Sequence, residues 1–328
     1  MKAIRVHAFG GPEVMKYEDV DVPKPGAGEV LIKIAATGLN YLDVQYRIGR
    51  VKAPLPFTNG TEASGVISDV GSGVTDFKVG DRVAYTMILG TYAEYALAPA
   101  ARVVALPDNL DLRTAAGAML QGLTAHYLTH STYPLKAGET ALVHAAAGGI
   151  GMVLTQVARL VGARVIATAG SDAKVELARQ AGAHAVINYT THDFEQEVKR
   201  LTNGKGVEVV YDSVGKDTFD KSLNCLRHRG YLVLFGFSSG LVPPFDPAIL
   251  GIKGSLFLTR PTLNQYIATR EELLMRARDL FGWLASGTVK IRINHTFPLA
   301  DAVKAHQELE ARRTTGKVLL EVGGSSLA

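Results

Sequence analysis

The segment TALVHAAAGGIG, residues 140–151, carries the strongest indication of the fold. It begins as an apolar, β-prone run typical of a buried strand, and a glycine turn made of Gly148, Gly149, Ile150 and Gly151 comes directly after it. Where such a turn opens a helix, the backbone can approach a pyrophosphate, whose charge is held by the free N–H groups of the helix. Because glycines also occur in strand–helix turns for packing alone, a dinucleotide site is indicated only if further strands and helices alternate after the turn.

Strands and helices do alternate from this turn to about residue 264. The next strands are predicted at RVIATA (164–169), HAVINY (184–189), VEVVYDS (207–213), YLVLFG (231–236) and SLFLT (255–259). Helical segments separate them, and DTFDKSLNCLRH (217–228) is predicted as one of these. Six strands alternating with helices predict a Rossmann-type, doubly wound parallel sheet of the α/β class, which supports dinucleotide binding over a purely packing role for the glycines.

The chain before residue 110 has a different pattern. Short β-prone runs such as EVLIKIAATG (29–38) alternate with turn residues, which is typical of an antiparallel barrel or sandwich. An Ala-, Leu- and Met-rich segment at 112–130 predicts a linking helix. We therefore predict a domain at 1–124, a dinucleotide-binding domain at 125–264, and a C-terminal segment at 265–328 that returns to the first domain.

Composition and charge narrow the class of protein. The 328 residues are 47% apolar and 20% charged, which excludes a largely disordered chain. Lys and Arg number 35 against 31 Asp and Glu and are scattered, so an anionic small ligand suits the chain better than a nucleic acid. The single cysteine, Cys225, excludes an internal disulfide and is compatible with a reducing compartment. With no signal-peptide pattern at the start, we expect a cytoplasmic protein that does not span a membrane.

The end of the second strand indicates which dinucleotide is bound. It reads Ala169-Gly170-Ser171, followed by Asp172 and then Lys174 in the next helix. NAD enzymes usually carry an acid at the tip of this strand for the ribose hydroxyls. Here a hydroxyl and an ammonium are within reach instead, which favours NADPH and its 2′-phosphate. In the alternative, Ser171 only caps the helix, Lys174 is solvated and Asp172 binds the ribose.

The carboxyl ends of the other strands supply further candidates, because ligands of open α/β sheets lie outside those ends. The candidate cofactor-binding residues there are Tyr189, Ser213, Phe235, Gly236 and Thr259. Each also has a structural interpretation: the aromatic rings can cover the edge of the core, and Ser213 can cap the next helix.

The chain also resembles a known family along nearly its whole length. The matching motifs are GGPEV (10–14), Gly38-Leu39-Asn40, Gly60-Thr61-Glu62, Gly80-Asp81-Arg82-Val83, Gly122-Leu123-Thr124, AAAGGIG (145–151), Tyr211-Asp212-Ser213-Val214-Gly215 and KGSLFLTRP (253–261). They are similar to those of the zinc-free quinone oxidoreductases of the medium-chain dehydrogenase/reductase superfamily, the zeta-crystallin group. The resemblance implies a GroES-like antiparallel β-barrel as the catalytic domain, a Rossmann domain, NADPH as cofactor, a quinone-like substrate and a homodimer.

The resemblance also implies roles for particular residues. Asn40 is expected at the nicotinamide end, both as a cofactor contact and as a catalytic donor, with the hydroxyls of Thr61 and Thr124 nearby. Arg47 matches the family pattern on the catalytic side. The tyrosine usually found five residues after the asparagine is replaced by Gln45, so the residues at the substrate end of the site are not assigned by the resemblance.

No metal is expected, because the zinc alcohol dehydrogenases of this superfamily carry a cysteine near the position of Thr37 and a Gly-His-Glu in place of Gly60-Thr61-Glu62. Without a Lewis acid, hydrogen-bond donors must polarise the acceptor, and the acceptor itself must be reactive toward hydride. Quinones and activated alkenes meet that second condition. The predicted activity is hydride transfer from NADPH to a quinone-like acceptor, and the nearest alternative is an alkenal or enoyl-thioester reductase. A cofactor-binding structural or RNA-binding protein is the alternative from another class, but the sequence has no basic cluster or aromatic stripe to favour it.

Overall fold

The computed structural model describes residues 1–323 and divides the chain into two units. The first unit comprises residues 1–121, 267–287 and those from 291 onward, and the second comprises 122–266 and 288–290. The first part of the chain forms eight strands and a short helix and ends in a longer helix. These elements are β1 (Lys2–Val6), β2 (Met15–Asp19), β3 (Glu29–Leu39), α1 (Tyr41–Arg47), β4 (Phe57–Thr58), β5 (Glu62–Val70), β6 (Arg82–Thr86), β7 (Tyr95–Pro99), β8 (Val104–Ala105) and α2 (Leu112–Tyr127).

A six-stranded parallel sheet forms the centre of the second unit. The strands of this sheet and the helices between them are β9 (Thr140–Val143), α3 (Gly149–Leu160), β10 (Arg164–Ala169), α4 (Asp172–Gln180), β11 (Ala185–Asn188), α5 (Phe194–Leu201), β12 (Val207–Asp212), α6 (Phe219–Asn224), β13 (Leu226–Leu234), α7 (Ala248–Ile252) and β14 (Phe257–Thr259), followed by α8 (Leu263–Tyr266). The strand order is β11-β10-β9-β12-β13-β14, and every neighbouring pair is parallel. The order turns back at β9, as in a doubly wound fold, so the prediction of a Rossmann-type sheet is confirmed.

Apolar runs explain why these segments form central strands. Leu142 of β9, Ile166 of β10, Val210 of β12 and Leu232 of β13 are fully buried in one cluster with residues of the surrounding helices. Strands of a parallel sheet are covered on both faces and therefore read as nearly continuous apolar segments. Because all of these strands are parallel, their carboxyl ends lie along one edge of the sheet.

The rest of the chain returns to the first unit as α9 (Arg270–Ala285), β15 (Ile293–Pro298), α10 (Ala302–Glu310) and β16 (Lys317–Glu321). The last strand pairs antiparallel with β3, in a sheet of order β15-β16-β3-β5-β6-β8 whose β7 also pairs with β3. Apart from the parallel pair β15–β16, the pairings of this sheet are antiparallel. A smaller antiparallel sheet has the order β2-β1-β4. The prediction of an antiparallel sheet separate from the parallel one is thus confirmed.

Several predicted boundaries are wrong, and three of them are informative. The helix predicted at 217–228 ends at Asn224, because Leu226 pairs with Val207 and its side chain is buried in the core of the second unit. The strand predicted at 255–259 begins only at Phe257, since Ser255 has φ of 56° and cannot extend the strand backwards. The linking helix keeps α-helical geometry only to Tyr127 and continues to Thr132 as a π-helical turn.

Among the described residues, every helix is too short or too polar to cross a lipid bilayer.

Candidate functional site

The glycine turn leaves donors unused at the start of α3. Gly148 is the N-cap and has no side chain to accept a hydrogen bond, while its own N–H donates to Ala145 O at 2.9 Å. The first helical bond from beyond the turn is Met152 N–H to Gly148 O, also 2.9 Å. Within the described chain, the N–H groups of Gly149, Ile150 and Gly151 have no acceptor. Three donors at the positive end of a helix fit a pyrophosphate.

Gly151 has a packing role in addition. A Cβ placed on it would lie 2.4 Å from Ala145 O and 2.7 Å from Ala146 Cα, so a side chain cannot fit without moving the strand–helix turn. Ala145 itself has φ of 51°, which is uncommon for a residue with a side chain. The helix therefore approaches the end of β9 closely only because residue 151 is glycine.

The tip of β10 brings the residues of the proposed 2′-phosphate site together. A Cβ on Gly170 would lie 2.4 Å from the hydroxyl of Tyr189, so the tyrosine lies directly beside this glycine. Ser171 caps α4 by accepting the Lys174 N–H at 3.3 Å. The capping role of the alternative interpretation is therefore present, and it leaves the second lone pair and the hydrogen of the hydroxyl for a ligand.

One carboxylate oxygen of Asp172 has a hydrogen-bond partner at the same tip. Its Oδ1 accepts a hydrogen bond from Asn188 Nδ2 at 2.8 Å, across the neighbouring ends of β10 and β11. A carboxylate oxygen in this bond is directed toward β11 by its partner.

The ends of β12 and β13 meet closely. A Cβ on Gly236 would lie 2.6 Å from Ser213 O, so only glycine allows this approach.

Asp212 fixes the turn that contains Ser213. Its Oδ1 accepts the N–H groups of Val214 and Gly215 at 2.7 and 3.0 Å. Its Oδ2 accepts hydroxyls from Thr218 and Ser222 at 2.7 and 3.0 Å. A fully buried carboxylate thus anchors the strand end that carries one candidate residue.

The remaining candidates of the second unit lie as follows. Phe235 follows β13 and donates its N–H to Asp212 O at 2.8 Å. Thr259 ends β14 at the edge of the sheet, opposite Val233. Thr124 is buried in α2, so a position on an exposed helix face is excluded for it.

Asn40 is the centre of a buried polar cluster in the first unit. Its Nδ2 donates to Gly38 O at 3.0 Å and to Glu62 Oε2 at 2.9 Å, and its Oδ1 accepts from Lys317 Nζ at 2.8 Å. The ammonium and the carboxylate fix the orientation of the amide, because a flipped amide would face each of them with the wrong atom. Both amide hydrogens therefore have acceptors within the protein, and a ligand must share or displace one of them.

Lys317 and Glu62 form a fully buried ion pair with 2.6 Å between Nζ and Oε2. The other carboxylate oxygen, Oε1, accepts the N–H of Leu120 at 2.6 Å. Gly38 makes room for the pair, since a Cβ there would lie 2.7 Å from Lys317 Cε and even closer to the carboxylate. Lys317 was not predicted from the sequence, because its only signal there is a lysine at the start of an apolar strand.

The positions compared with zinc ligands hold a different chemistry. The hydroxyl of Thr37 donates to Glu62 O at 2.6 Å, and the Glu62 carboxylate forms an ion pair with Lys317 and accepts a hydrogen bond from the Asn40 amide. In the part of the chain that the structure describes, no group of three or more His, Cys, Asp or Glu side chains could hold a metal ion. Hydroxyls and a carboxylate paired with an ammonium do not fit zinc, which binds thiolate, imidazole and free carboxylate.

A second cluster of hydrogen bonds surrounds Asp43, three residues after Asn40. The carboxylate accepts the Thr61 hydroxyl at 2.6 Å, the Tyr92 hydroxyl at 3.0 Å and the Asn40 N–H at 2.8 Å. Burial raises the pKa of Asp43 to about 6, and the three hydrogen bonds oppose that shift. Thr61 and Asn40 therefore donate to the same carboxylate, which holds them near each other.

Arg47 connects to the same carboxylate through two intermediates. Its guanidinium donates to His306 Nδ1 at 3.0 Å, so Nε2 carries the imidazole proton and donates to the Tyr92 oxygen at 3.3 Å. Tyr92 in turn donates to Asp43. Burial, and then the Arg47 charge, lower the pKa of His306 to about 3, so the ring is neutral at pH 7.

Arg47 also pairs with Glu310, to which Nη1 and Nη2 donate at 2.7 and 3.0 Å, while Nε donates to Gly10 O at 3.1 Å. Arg47 is fully buried. Asp43 was detectable in the sequence from its spacing after a helix-capping asparagine. Tyr92, His306 and Glu310 were not, since each lies far from Asn40 in the chain.

Gln45, which departs from the family pattern, is buried and accepts a hydrogen bond from Arg50 Nη1 at 3.2 Å. The neighbouring Tyr46 packs its ring edge-on against Phe57, with 6.5 Å between the ring centroids. These two side chains therefore have structural contacts in the first unit.

Comparison with known proteins identifies the family. Residues 26–108 match the family model described as the alcohol dehydrogenase GroES-like domain, and residues 149–273 match that of the zinc-binding dehydrogenases. A quinone oxidoreductase of Pseudomonas aeruginosa is 49% identical over 321 residues, which cover 97% of this chain and 99% of that protein. The chain belongs to the quinone oxidoreductase family. The resemblance inferred from the motifs is thus confirmed.

Two further relatives of this chain are informative. The structure of an Escherichia coli quinone oxidoreductase complexed with NADPH matches with a TM-score of 0.96 and 43% identity, over 98% of this chain and all of that one. A 2-haloacrylate reductase of a Burkholderia species is 43% identical, over 96% of this chain and 97% of its own length. The family therefore includes proteins named for two kinds of acceptor.

Proposed function

We propose that this chain is an NADPH-dependent, zinc-independent quinone oxidoreductase that transfers a hydride to a quinone-like acceptor. The observation that carries the proposal is the close structural match, at 43% identity, to the E. coli quinone oxidoreductase solved with NADPH. The three unused N–H groups at the start of α3 support it, because they give an anionic dinucleotide a place to bind.

The cofactor contacts of this proposal follow the geometry of the second unit. Gly148, Gly149, Ile150 and Gly151 hold the pyrophosphate, and Gly170, Ser171, Lys174 and Tyr189 hold the 2′-phosphate. Ser213, Phe235, Gly236 and Thr259 line the carboxyl edge of the sheet, and Thr124 and Asn40 contact the nicotinamide end. Support comes from the shared edge on which the strand ends lie and from the close approaches at Gly170 and Gly236.

NADPH, when bound, supplies the hydride. The chain's own contribution on the acceptor side is position and polarity: Lys317 and Glu62 fix the amide of Asn40, and Asp43 fixes its backbone and the Thr61 hydroxyl. Arg47 acts through His306 and Tyr92 on Asp43. Donors without a Lewis acid suit acceptors that are already electron-poor, such as quinones.

A second candidate function is reduction of an activated alkene, such as an alkenal, an enoyl thioester or a 2-haloacrylate. The specific observation in its favour is the 43% identity to the 2-haloacrylate reductase over nearly the full length of both chains. Quinones and activated alkenes both take hydride at an electron-poor carbon, so one constellation of donors can serve either.

The proposal is tested by mixing the purified chain with NADPH and a small para-quinone and following cofactor oxidation. We expect turnover that saturates with the quinone. In Asn40→Ala we expect kcat to fall more than the NADPH affinity, because Asn40 is one of many proposed cofactor contacts but acts directly on the acceptor step. Oxidation of NADPH no faster than in the protein-free mixture would refute the proposal. An equal loss of kcat and NADPH affinity in Asn40→Ala would remove Asn40 from the acceptor step.

We further propose a homodimer formed through the edge strand β14. Phe257 is 48% exposed on that strand and Ile252 is 84% exposed on the preceding helix, so apolar side chains lie beside unpaired strand groups. A concentration-independent monomer in sedimentation would exclude the homodimer.

We also propose that the antiparallel sheet closes into a barrel, which the match of residues 26–108 to the GroES-like model supports. A cytoplasmic location is proposed as well, and the buried thiol of Cys225 is compatible with it.

A further inference from the structure

Asp172 is an acidic residue three positions after the end of β10, next to the strand tip where a carboxylate decides between two dinucleotides. It begins α4, directly after the Gly170-Ser171 tip of β10. A carboxylate at this end of the second strand can accept hydrogen bonds from the ribose hydroxyls of NADH, and it repels the 2′-phosphate of NADPH. A chain that binds NADPH must keep this charge away from the phosphate.

Asn188 provides that restraint. It ends β11 beside Ala169 of β10, and its Nδ2 donates to Asp172 Oδ1 at 2.8 Å. Its Oδ1 accepts both the N–H and the hydroxyl of Thr190, at 3.1 and 2.7 Å. Two donors on the oxygen and a carboxylate on the nitrogen leave the amide one satisfactory orientation. The side chain is therefore a fixed bridge from the turn after β11 to the carboxylate.

We propose that Asn188 is a specificity-determining residue: by fixing the Asp172 carboxylate on its amide, it makes the site at the tip of β10 selective for a dinucleotide with a 2′-phosphate. This inference rests on the proposed function, since it assigns a role within the NADPH site. Ser171 and Lys174 supply the favourable contacts in that proposal, and Asn188 removes an unfavourable one.

The proposal makes the effect of Asn188 depend on Asp172. Without the amide, the carboxylate is free to turn toward the ribose, where it binds the hydroxyls of NADH and repels the phosphate of NADPH. We expect Asn188→Ala to reduce the ratio of NADPH to NADH affinity about tenfold. A hydrogen bond to a charged group typically changes an affinity by about that factor. In the double variant Asn188→Ala, Asp172→Asn, the ratio returns to within about twofold of the wild-type value.

The experiment is a titration of the full-length wild-type and variant proteins with NADPH and with NADH, followed by the fluorescence of the bound cofactor. Asp172→Asn alone is nearly isosteric and tests the same idea without removing the bridge. Because the wild-type carboxylate is already held away, this variant should change the ratio by less than about twofold. Asn224→Ala is the matched control: Asn224 Nδ2 donates to Glu195 Oε2 at 3.0 Å in the same unit, on other helices.

Two results would overturn the inference. One is an unchanged ratio in Asn188→Ala, or a lowered ratio that Asp172→Asn does not restore. The other is a tenfold or larger gain of NADPH affinity in Asp172→Asn, because the carboxylate would then already oppose the phosphate. Failure of the proposed function looks different: the wild-type protein would bind neither cofactor, or would prefer NADH.

Discussion

Lys317 and Glu62 lie 255 positions apart in the chain, yet Nζ and Oε2 are 2.6 Å apart and both side chains are fully buried. The pair is satisfied on the carboxylate side by the N–H of Leu120 and by Asn40. Strand β16 therefore carries a charge that fixes the residue proposed to face the acceptor. A buried pair of this kind is costly to break, because the partner left behind keeps its charge without compensation.

Replacing Lys317 with Met should therefore lower the free energy of unfolding by about 3–5 kcal/mol. The measurement is urea denaturation of the apo-protein. Lys199→Met is the control, because Lys199 Nζ and Glu195 Oε1 are also 2.6 Å apart but the lysine is half exposed. Its effect should stay below about 1 kcal/mol. Equal losses in the two variants would contradict the assignment, as would a Lys317→Met, Glu62→Gln double variant less stable than Lys317→Met alone.

Gly151→Ala should abolish tight NADPH binding, because its Cβ would lie 2.4 Å from Ala145 O and must displace the turn that presents the N–H groups. We expect at least a tenfold increase in Kd, with about 1–3 kcal/mol of destabilisation from the displaced backbone. Gly251→Ala is the matched control in the same unit, since a Cβ there meets no atom within 4 Å. Wild-type affinity in folded Gly151→Ala would exclude this turn from the cofactor site.

Lys174→Ala should weaken NADPH binding by about 1–3 kcal/mol and leave NADH binding unchanged, because only NADPH carries the 2′-phosphate. Titration with both cofactors at two salt concentrations measures this, and the loss should shrink as salt rises. An equal loss for the two cofactors would show that Lys174 serves the fold or the ribose instead of the phosphate.

Asp43 and His306 should have opposite effects on the pH dependence of stability. The pKa of Asp43 is raised from 3.8 to about 6, so its contribution is present below about pH 4 and is lost as the pH rises through 6. The pKa of His306 is lowered from 6.5 to about 3, so its contribution is present above 6.5 and is lost as the pH falls toward 3. Between about pH 4 and 6 the two slopes oppose each other.

Removing either group should therefore expose the slope of the other. In His306→Gln, the free energy of unfolding should fall with rising pH between about 4 and 6, by up to roughly 1.4 kcal/mol per pH unit. In Asp43→Asn it should rise over the same interval. Urea denaturation at several pH values measures both slopes, and slopes of the same sign in the two variants would be inconsistent with this account.

The parts of the structure that were predictable from the sequence are those with local signals. The alternating apolar runs indicated the parallel sheet, and the glycines after β9 indicated the turn, because each pattern lies within a dozen residues. The end of α6 was missed because the pairing of Leu226 with Val207 overrides helix propensity. The partners of Asn40 and Asp43 were missed for a related reason: Lys317, Tyr92 and His306 meet them only after the chain has folded back, and no spacing in the sequence records such contacts.

Hydride transfer to a quinone is best tested with an acceptor panel at fixed NADPH, comparing kcat/KM for a small para-quinone, a matched alkenal, an enoyl thioester and 2-haloacrylate. We expect the quinone to be reduced fastest and a saturated alcohol not to be oxidised with NADP⁺, because the groups around Asn40 offer hydrogen-bond donors in place of a Lewis acid. If the alkenal, the thioester or 2-haloacrylate exceeds the quinone by tenfold, about 1.4 kcal/mol in the transition state, the assignment to quinones is contradicted and the activated-alkene reductase replaces it.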